Sequence, residues 1–218
     1  MNLRELNLKL TRESLVKETS RDVLIIQTIH TIDELIKIIN RLIANLRERY
    51  GYYAPRAAKE ENAEKLLNII NRKIKEDIGL NLDEVDLASI IELSEEIKRL
   101  INLKESQEKY LEKITEEICP RLKKTATSLI AARLVDKAGS LKNLAKLPSS
   151  TIQVLGAEKA LFRHLKTKSK APKFGIIFAH QNISNSPQTE KGKAARRLAA
   201  EISKSTRIDY FSKDKEEV

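Results

Sequence analysis

The chain has 218 residues, a third of them charged, and a formal net charge of +10. Aromatic residues make up only 4%, with six glycines and a single cysteine, Cys119. That composition speaks against a β-sandwich or barrel, allows no internal disulfide and suits long exposed helices. With no apolar run of the ~18 residues a membrane span needs, neither a span nor a signal peptide is expected. His30, His164 and His180 lie far apart in the chain and match no ligand spacing, so no metal or cofactor is expected.

Residues 1–20 are polar and mixed, with Thr11 or Thr19 as candidate helix caps. From there Ile25, Ile29, Ile32, Ile36, Ile39, Ile43, Leu46 and Tyr50 step by 4, 3, 4, 3, 4, 3, 4, a heptad seam with no Gly or Pro until Gly51. Residues 51–80 read as a cap. In it Asn62 starts a short helix through Asp77, with Leu66, Leu67, Ile70 and Ile74 on one side. Asn81 and Glu84, three apart, have capping-box spacing and open a second long helix. Its seam is Ile90, Leu93, Ile97, Leu100, Lys104, Gln107, Leu111, Ile114 and Ile118, with Lys104 and Gln107 as polar intrusions, and Pro120 disturbs it. Two such helices joined by a connector of about thirty residues should fold back as an antiparallel pair. Short helices follow over 121–147. A helix is predicted from Gly156 to Lys166, an extended segment from Pro172 to Ala179 with Ile176, Ile177 and Phe178 in the core, and a last helix from Pro187 to about Lys204. The expected organisation is all-α: a coiled-coil domain over 1–120, a compact multihelical domain over 121–212 and a loose tail over 213–218.

Charge is unevenly placed. From Ser150 to Ala200 ten Lys and Arg stand against Glu158 and Glu190, so +8 of the net charge sits in under a quarter of the chain. Lys159, Arg163 and Lys166 step by 4 and 3 and share a helix face, behind an N-terminus at Gly156 and Ala157 whose amides are free to meet a phosphate. Lys191, Lys193, Arg196 and Arg197 charge the last helix in the same way. A single-sign concentration of this kind attracts a polyanion. His180 and Gln181, after an apolar run, are candidates for stacking on an unpaired base or bonding its edge. His164 reads as a partly buried surface histidine, and Gln153 as a side chain that bonds the backbone of the turn.

The segment ARLVDKAGSLKNLAKLPSSTIQVLGAEKALFRHLKT (Ala132 to Thr167) closely resembles the Nop family, the core scaffold proteins of box C/D small ribonucleoproteins. The likeness continues through PKFGIIFAH (Pro172 to His180), Ser186-Pro187 and GKAARRLAAEISKSTRIDYFS (Gly192 to Ser212). Upstream, SRDVLIIQTIHTIDELIKIINRLIANLRERYG is similar to the family's first coiled-coil helix. The resemblance implies a non-catalytic scaffold that binds a kink-turn guide RNA together with the small ribosomal-type protein already on it, and that pairs with a second copy through its coiled coil. In the family a separate N-terminal domain holds fibrillarin, which methylates ribose 2′-hydroxyls. No counterpart of that domain is seen in these residues, so fibrillarin binding by this chain is not expected. At Ala179 the sequence departs from the family pattern. An archaeal origin, and hence a cytoplasmic location, fits better than a nucleolar one.

Other readings remain at this stage. A coiled-coil interaction protein with a generic basic end would bind any polyanion, and a spliceosomal relative shares the domain. A nuclease would need a carboxylate cluster or a histidine pair, and the basic region offers two isolated Glu and two separated His.

Overall fold

The computed structural model describes residues 2–18, 21–74, 76 and 78–213, and the side chains of all these but 13–18 and 213. The cap suggested at Thr19, the helix end at Asp77 and the tail from 214 onward lie outside the described residues. Among the described residues every regular element is helical, and no helix is long and apolar enough to cross a membrane. Besides two 3-10 turns, Ala57–Lys59 and Ile176–Ala179, they are in chain order α1 (Leu3–Glu18), α2 (Asp22–Gly51), α3 (Ala63–Asn71), α4 (Glu84–Ile118), α5 (Pro120–Ala126), α6 (Ser128–Ala138), α7 (Leu141–Lys146), α8 (Ser149–Val154), α9 (Glu158–Thr167), α10 (Gln181–Ser184) and α11 (Lys191–Lys213). The first is a helix that polarity alone concealed. Thr11 lies inside it and donates its hydroxyl to the Asn7 carbonyl at 2.7 Å, so it caps nothing.

The chain forms two compact units, residues 30–109 and residues 1–29 with 110–218. In the first, Leu35, Ile39, Ile43, Leu46 and Tyr50 of α2 share one buried cluster with Leu66, Leu67 and Ile70 of α3 and Ile90 and Ile97 of α4. Ile32 is buried too. The stripe on α2 is broader than two positions per heptad and leans to the flank of Leu35 and Leu42, seven apart. Ile36, expected on the seam, sits on the opposite flank and is only half-buried. Polar groups stitch the end of this unit. Arg47 donates to the Glu60 and Glu61 carbonyls, both at 2.8 Å, and Glu76 accepts from the amides of Arg56 (3.0 Å) and Ala57 (2.8 Å). The hydroxyl of Tyr50 donates to the Ile74 carbonyl at 2.6 Å, while the Ile74 side chain is exposed, not packed as expected. Asn62 caps α3 by accepting from the Lys65 amide at 3.1 Å, as its position suggested. α4 begins at Glu84, and Asp83 just before it accepts from the Asp86 amide at 2.8 Å. Lys104 is half-buried on α4 and pairs with Glu108 at 3.4 Å.

In the second unit the start of α2 buries Ile25 and Ile29, and the end of α4 buries Leu111, Ile114 and Ile118. Arg21 forms a two-pronged ion pair with Glu117. Here α4 stops because Pro120 has no N–H to continue it, and Pro120 becomes the first residue of α5. The organising element is α11, which packs on α5, α7 and α8. It turns Ala195, Leu198, Ala199, Ile202 and Thr206 inward, and the alanines let the other helices approach closely. Near its far end the buried Asp209 accepts from the amides of Arg121 (3.2 Å) and Leu122 (2.8 Å), capping α5 from another part of the chain. Asp22, also buried, does the same for α7 through the Leu141 amide at 2.6 Å. Charge on each carboxylate meets the positive end of a helix, so these bonds tie distant segments together. The last helix starts four residues later than Pro187 suggested and runs nine past Lys204, because its inward stripe continues to Asp209.

Candidate nucleic-acid interface

The helix α9 carries no buried residue. At about 100° per residue, Leu165, Glu158, Phe162, Lys166, Lys159 and Arg163 follow one another around one side, and all are exposed. Ala160, Leu161 and His164 lie on the other side and are half-buried. The outer face therefore passes from apolar to basic, with Phe162 64% and Leu165 68% exposed beside the three cations. Sequence reading picked out the cations and missed the two apolar residues between them. The signal was there: a Phe and a Leu three apart in a segment otherwise dense in charge. His164 anchors the helix end by donating its Nδ1 proton to the Ser169 carbonyl, since a carbonyl can only accept. Lys168 closes the helix in the left-handed region at φ 54°.

The amides of Gly156 and Ala157, expected to be free for a phosphate, are both taken. Gly156 donates to the Glu158 carboxylate at 2.6 Å and Ala157 to the Val154 carbonyl at 2.9 Å. An N-terminal acid is the natural occupant of such a site, and here the chain supplies its own. Gly156 serves the fold instead. Its φ is +88°, and a Cβ there would lie 2.5 Å from Cγ1 of Ile176. This close approach is held by the Gly175 amide on the Gln153 carbonyl and the Ile176 amide on the Leu155 carbonyl, each at 2.9 Å. The Gln153 side chain adds a bond to the Lys173 carbonyl at 2.7 Å, so it does bond turn backbone.

Beyond this crossing the expected extended segment is a short 3-10 turn, Ile176–Ala179. Only Ile177 of its three predicted core residues is buried. Ile176 is half-buried, and Phe178 is 40% exposed. A four-residue turn can send only one side chain inward against α6 and α8, and the next points out. Phe178 stacks on Phe174 (ring centres 4.7 Å apart, planes 11° apart), and Nζ of Lys191 lies 5.1 Å from the centre of its ring. His180 is half-buried and caps α10, its Nδ1 accepting from the Asn182 amide at 3.2 Å, which leaves the proton on Nε2. Gln181, the first residue of α10, is exposed. A cleft of about 470 Å³ between α10 and α11 is lined by Asn182, Ser186, Glu190, Lys193, Arg197 and Glu201. Lys193 and Arg197 stand on the face of α11 opposite its buried stripe, and Arg196, also exposed, stands on the flank. The candidate residues thus fall into two groups, one on α9 and one formed by the 3-10 turn, α10 and the start of α11. Among the described residues no cluster of His, Cys, Asp and Glu is arranged to hold a metal ion.

Fold and site together define an all-helical protein with one mixed apolar-basic helix face and a second basic face. Residues 25–218 match the family described as Nop, snoRNA binding domain, fibrillarin. The chain belongs to that family. It is 37% identical over 217 residues to an uncharacterized NOP5 family protein of Methanocaldococcus jannaschii, covering 87% of this chain and 52% of that protein. It is 36% identical over 222 residues to nucleolar protein 56 of Mus musculus, covering 88% and 38%, and 35% identical over 223 residues to nucleolar protein 58 of Eremothecium gossypii, covering 90% and 44%. The chain thus spans about half or less of the length of these relatives. Among solved structures it resembles a chain of the crystal structure of a fibrillarin/Nop5p complex, at 28% identity and a TM-score of 0.60, over 96% of this chain and 69% of that one.

Proposed function

We propose that this chain is a non-catalytic scaffold of a box C/D-type small ribonucleoprotein, and that it recognises a kink-turn RNA only together with the small protein bound to it. The observation that carries this reading is the outer face of α9, where exposed Phe162 and Leu165 adjoin Lys159, Arg163 and Lys166. Cations on an exposed helix answer phosphates, but exposed apolar side chains answer a protein surface. One helix carrying both suits a target made of RNA and protein at once. The nucleolar names of the relatives and the snoRNA-binding description of the family support the same reading. The second basic group at Lys191, Lys193, Arg196 and Arg197, with His180 and Gln181, extends the RNA side of the surface. Residues 121–212 act as the recognition domain, the α2–α4 hairpin pairs two copies, and these 218 residues alone do not retain fibrillarin. The particle is a guide for 2′-O-methylation, cytoplasmic in an archaeal cell and nucleolar in a eukaryotic one.

The test is binding of a kink-turn RNA with and without its small partner protein. Affinity is expected to rise at least tenfold with the partner, about 1.4 kcal/mol or more. Replacing Phe162 and Leu165 with Ala should remove that gain and leave the weak binding to naked RNA intact. Equal affinity for naked and protein-bound RNA would overturn the proposal and leave a generic polyanion binder.

A further inference from the structure

Phe174 and Phe178 form a stack at the surface of a segment that is otherwise basic, and the fold has no use for the outer ring. Ile177 alone fills the core beneath the 3-10 turn, yet Phe178 keeps 40% of its surface exposed. A stacked pair whose outer ring stays this exposed offers an apolar face that a ligand can cover. What surrounds it limits the occupant. Phe174 lies against one face at 4.7 Å, and no ammonium fits between rings that close, so Lys191 covers the other face. The four-carbon stem of Lys191 is flexible, so the ammonium can leave that face. Lys173 runs beside Gly192, the second residue of α11, at 3.9 Å from where a Cβ would stand, and Lys193 is exposed one residue further on. A neutral apolar partner would have to bury these cations, whereas a planar ring that comes attached to phosphates would not.

We propose that Phe178 is a stacking platform for an unpaired nucleobase of the bound RNA, with Lys191 as its gate. In the free protein the ammonium of Lys191 rests on the ring by cation–π attraction. When RNA arrives, the base takes that face and extends the Phe174–Phe178 stack to three layers. Lys191 swings off the ring and pairs with the phosphate of the same nucleotide, so its charge is used in both states. This rests on the RNA-binding reading above and adds to it a base contact that does not depend on α9.

The test exploits a chain with no tryptophan. Phe178→Trp places a single indole at the platform. Its fluorescence should be quenched on adding a kink-turn RNA with its partner protein, and should not be quenched by the same RNA carrying abasic sugars at its unpaired nucleotides. Phe178→Ala should weaken binding about tenfold, within the range for losing one base–aromatic stack, with the log–log salt slope unchanged because no phosphate contact is lost. The abasic RNA should bind wild type and Phe178→Ala alike. Should Phe178→Ala fold poorly by circular dichroism, the Trp quenching still decides. An unquenched indole, or Phe178→Ala binding as wild type, overturns the platform. If replacing Lys159, Arg163 and Lys166 with Ala still weakens binding in that case, the RNA reading stands and only the stack falls. If those replacements too have no effect, the RNA reading itself has failed.

Discussion

At the scale of single residues, Gly156 shows how a position that reads as a phosphate cradle can belong to the fold. Its φ of +88° and its 2.5 Å approach to Ile176 both exclude a side chain. Gly156→Ala should cost about 1–3 kcal/mol from backbone strain alone, with the clash in addition. Ile176→Ala in the same chain should recover the clash and not the strain. Additive losses of thermal midpoint in the double variant would show that the two residues are not in contact as described. Tyr50 makes a second residue-level prediction. Burial, aided by Tyr53 and Glu76, pushes its hydroxyl up to about 12. The unfolded chain releases that proton near 10, so it binds fewer protons than the folded chain between these values, and stability must fall as pH rises through the window. Below 10 the contribution is fully present. Tyr50→Phe loses the 2.6 Å bond to Ile74 but should lack this part of the alkaline loss. Denaturant midpoints of the two proteins from pH 9 to 12 should converge, and parallel curves would refute it.

At the scale of elements, the long helices were legible and their contact geometry was only partly so. Spacings of 3 and 4 locate a stripe, but they do not say on which side the partner leans. That is why Leu35 replaces Ile36 in the buried cluster. Accordingly Leu35→Asp should cost several kcal/mol, an apolar burial lost and an unpaired carboxylate gained, whereas Ile36→Asp at a half-buried position should cost much less. Urea midpoints of the two variants test this, and equal losses would restore the symmetric seam. The same limit explains the other misses. Nothing local in residues 1–20 marks a helix, because α1 has no clean apolar face to display. Pro172 to Ala179 read as extended because an apolar run with Pro before it satisfies that pattern, whereas its turn is set by the distant Gly156 crossing. The caps that hold the second unit, Asp22 on α7 and Asp209 on α5, join residues 119 and 87 apart, beyond any local motif.

At the scale of the whole molecule, the question is whether the charge acts as a general field or through placed contacts. The +8 between Ser150 and Ala200 was plain in the sequence, but its division between α9 and the α11 side depended on how the chain folds. A net field reaches only about a Debye length, ~8 Å at physiological salt, so distant cations hardly add to binding there. Placed contacts behave differently, since each neutralised phosphate releases counterions and steepens the dependence of affinity on salt. Two variants with the same loss of charge separate the cases. Lys159→Ala with Arg163→Ala removes two exposed cations from α9. Lys37→Ala with Lys98→Ala removes two exposed cations from α2 and α4, one of which, Lys37, is already paired with Glu34 at 2.7 Å. Against a kink-turn RNA carrying its partner protein, the α9 pair should flatten the log–log salt slope by about two units and weaken binding at low salt. The hairpin pair should leave both nearly unchanged at physiological salt. Titrations at several salt concentrations read both quantities. If the two pairs lower the slope equally, binding follows net charge alone, and the apolar-basic face of α9 has no special part in it.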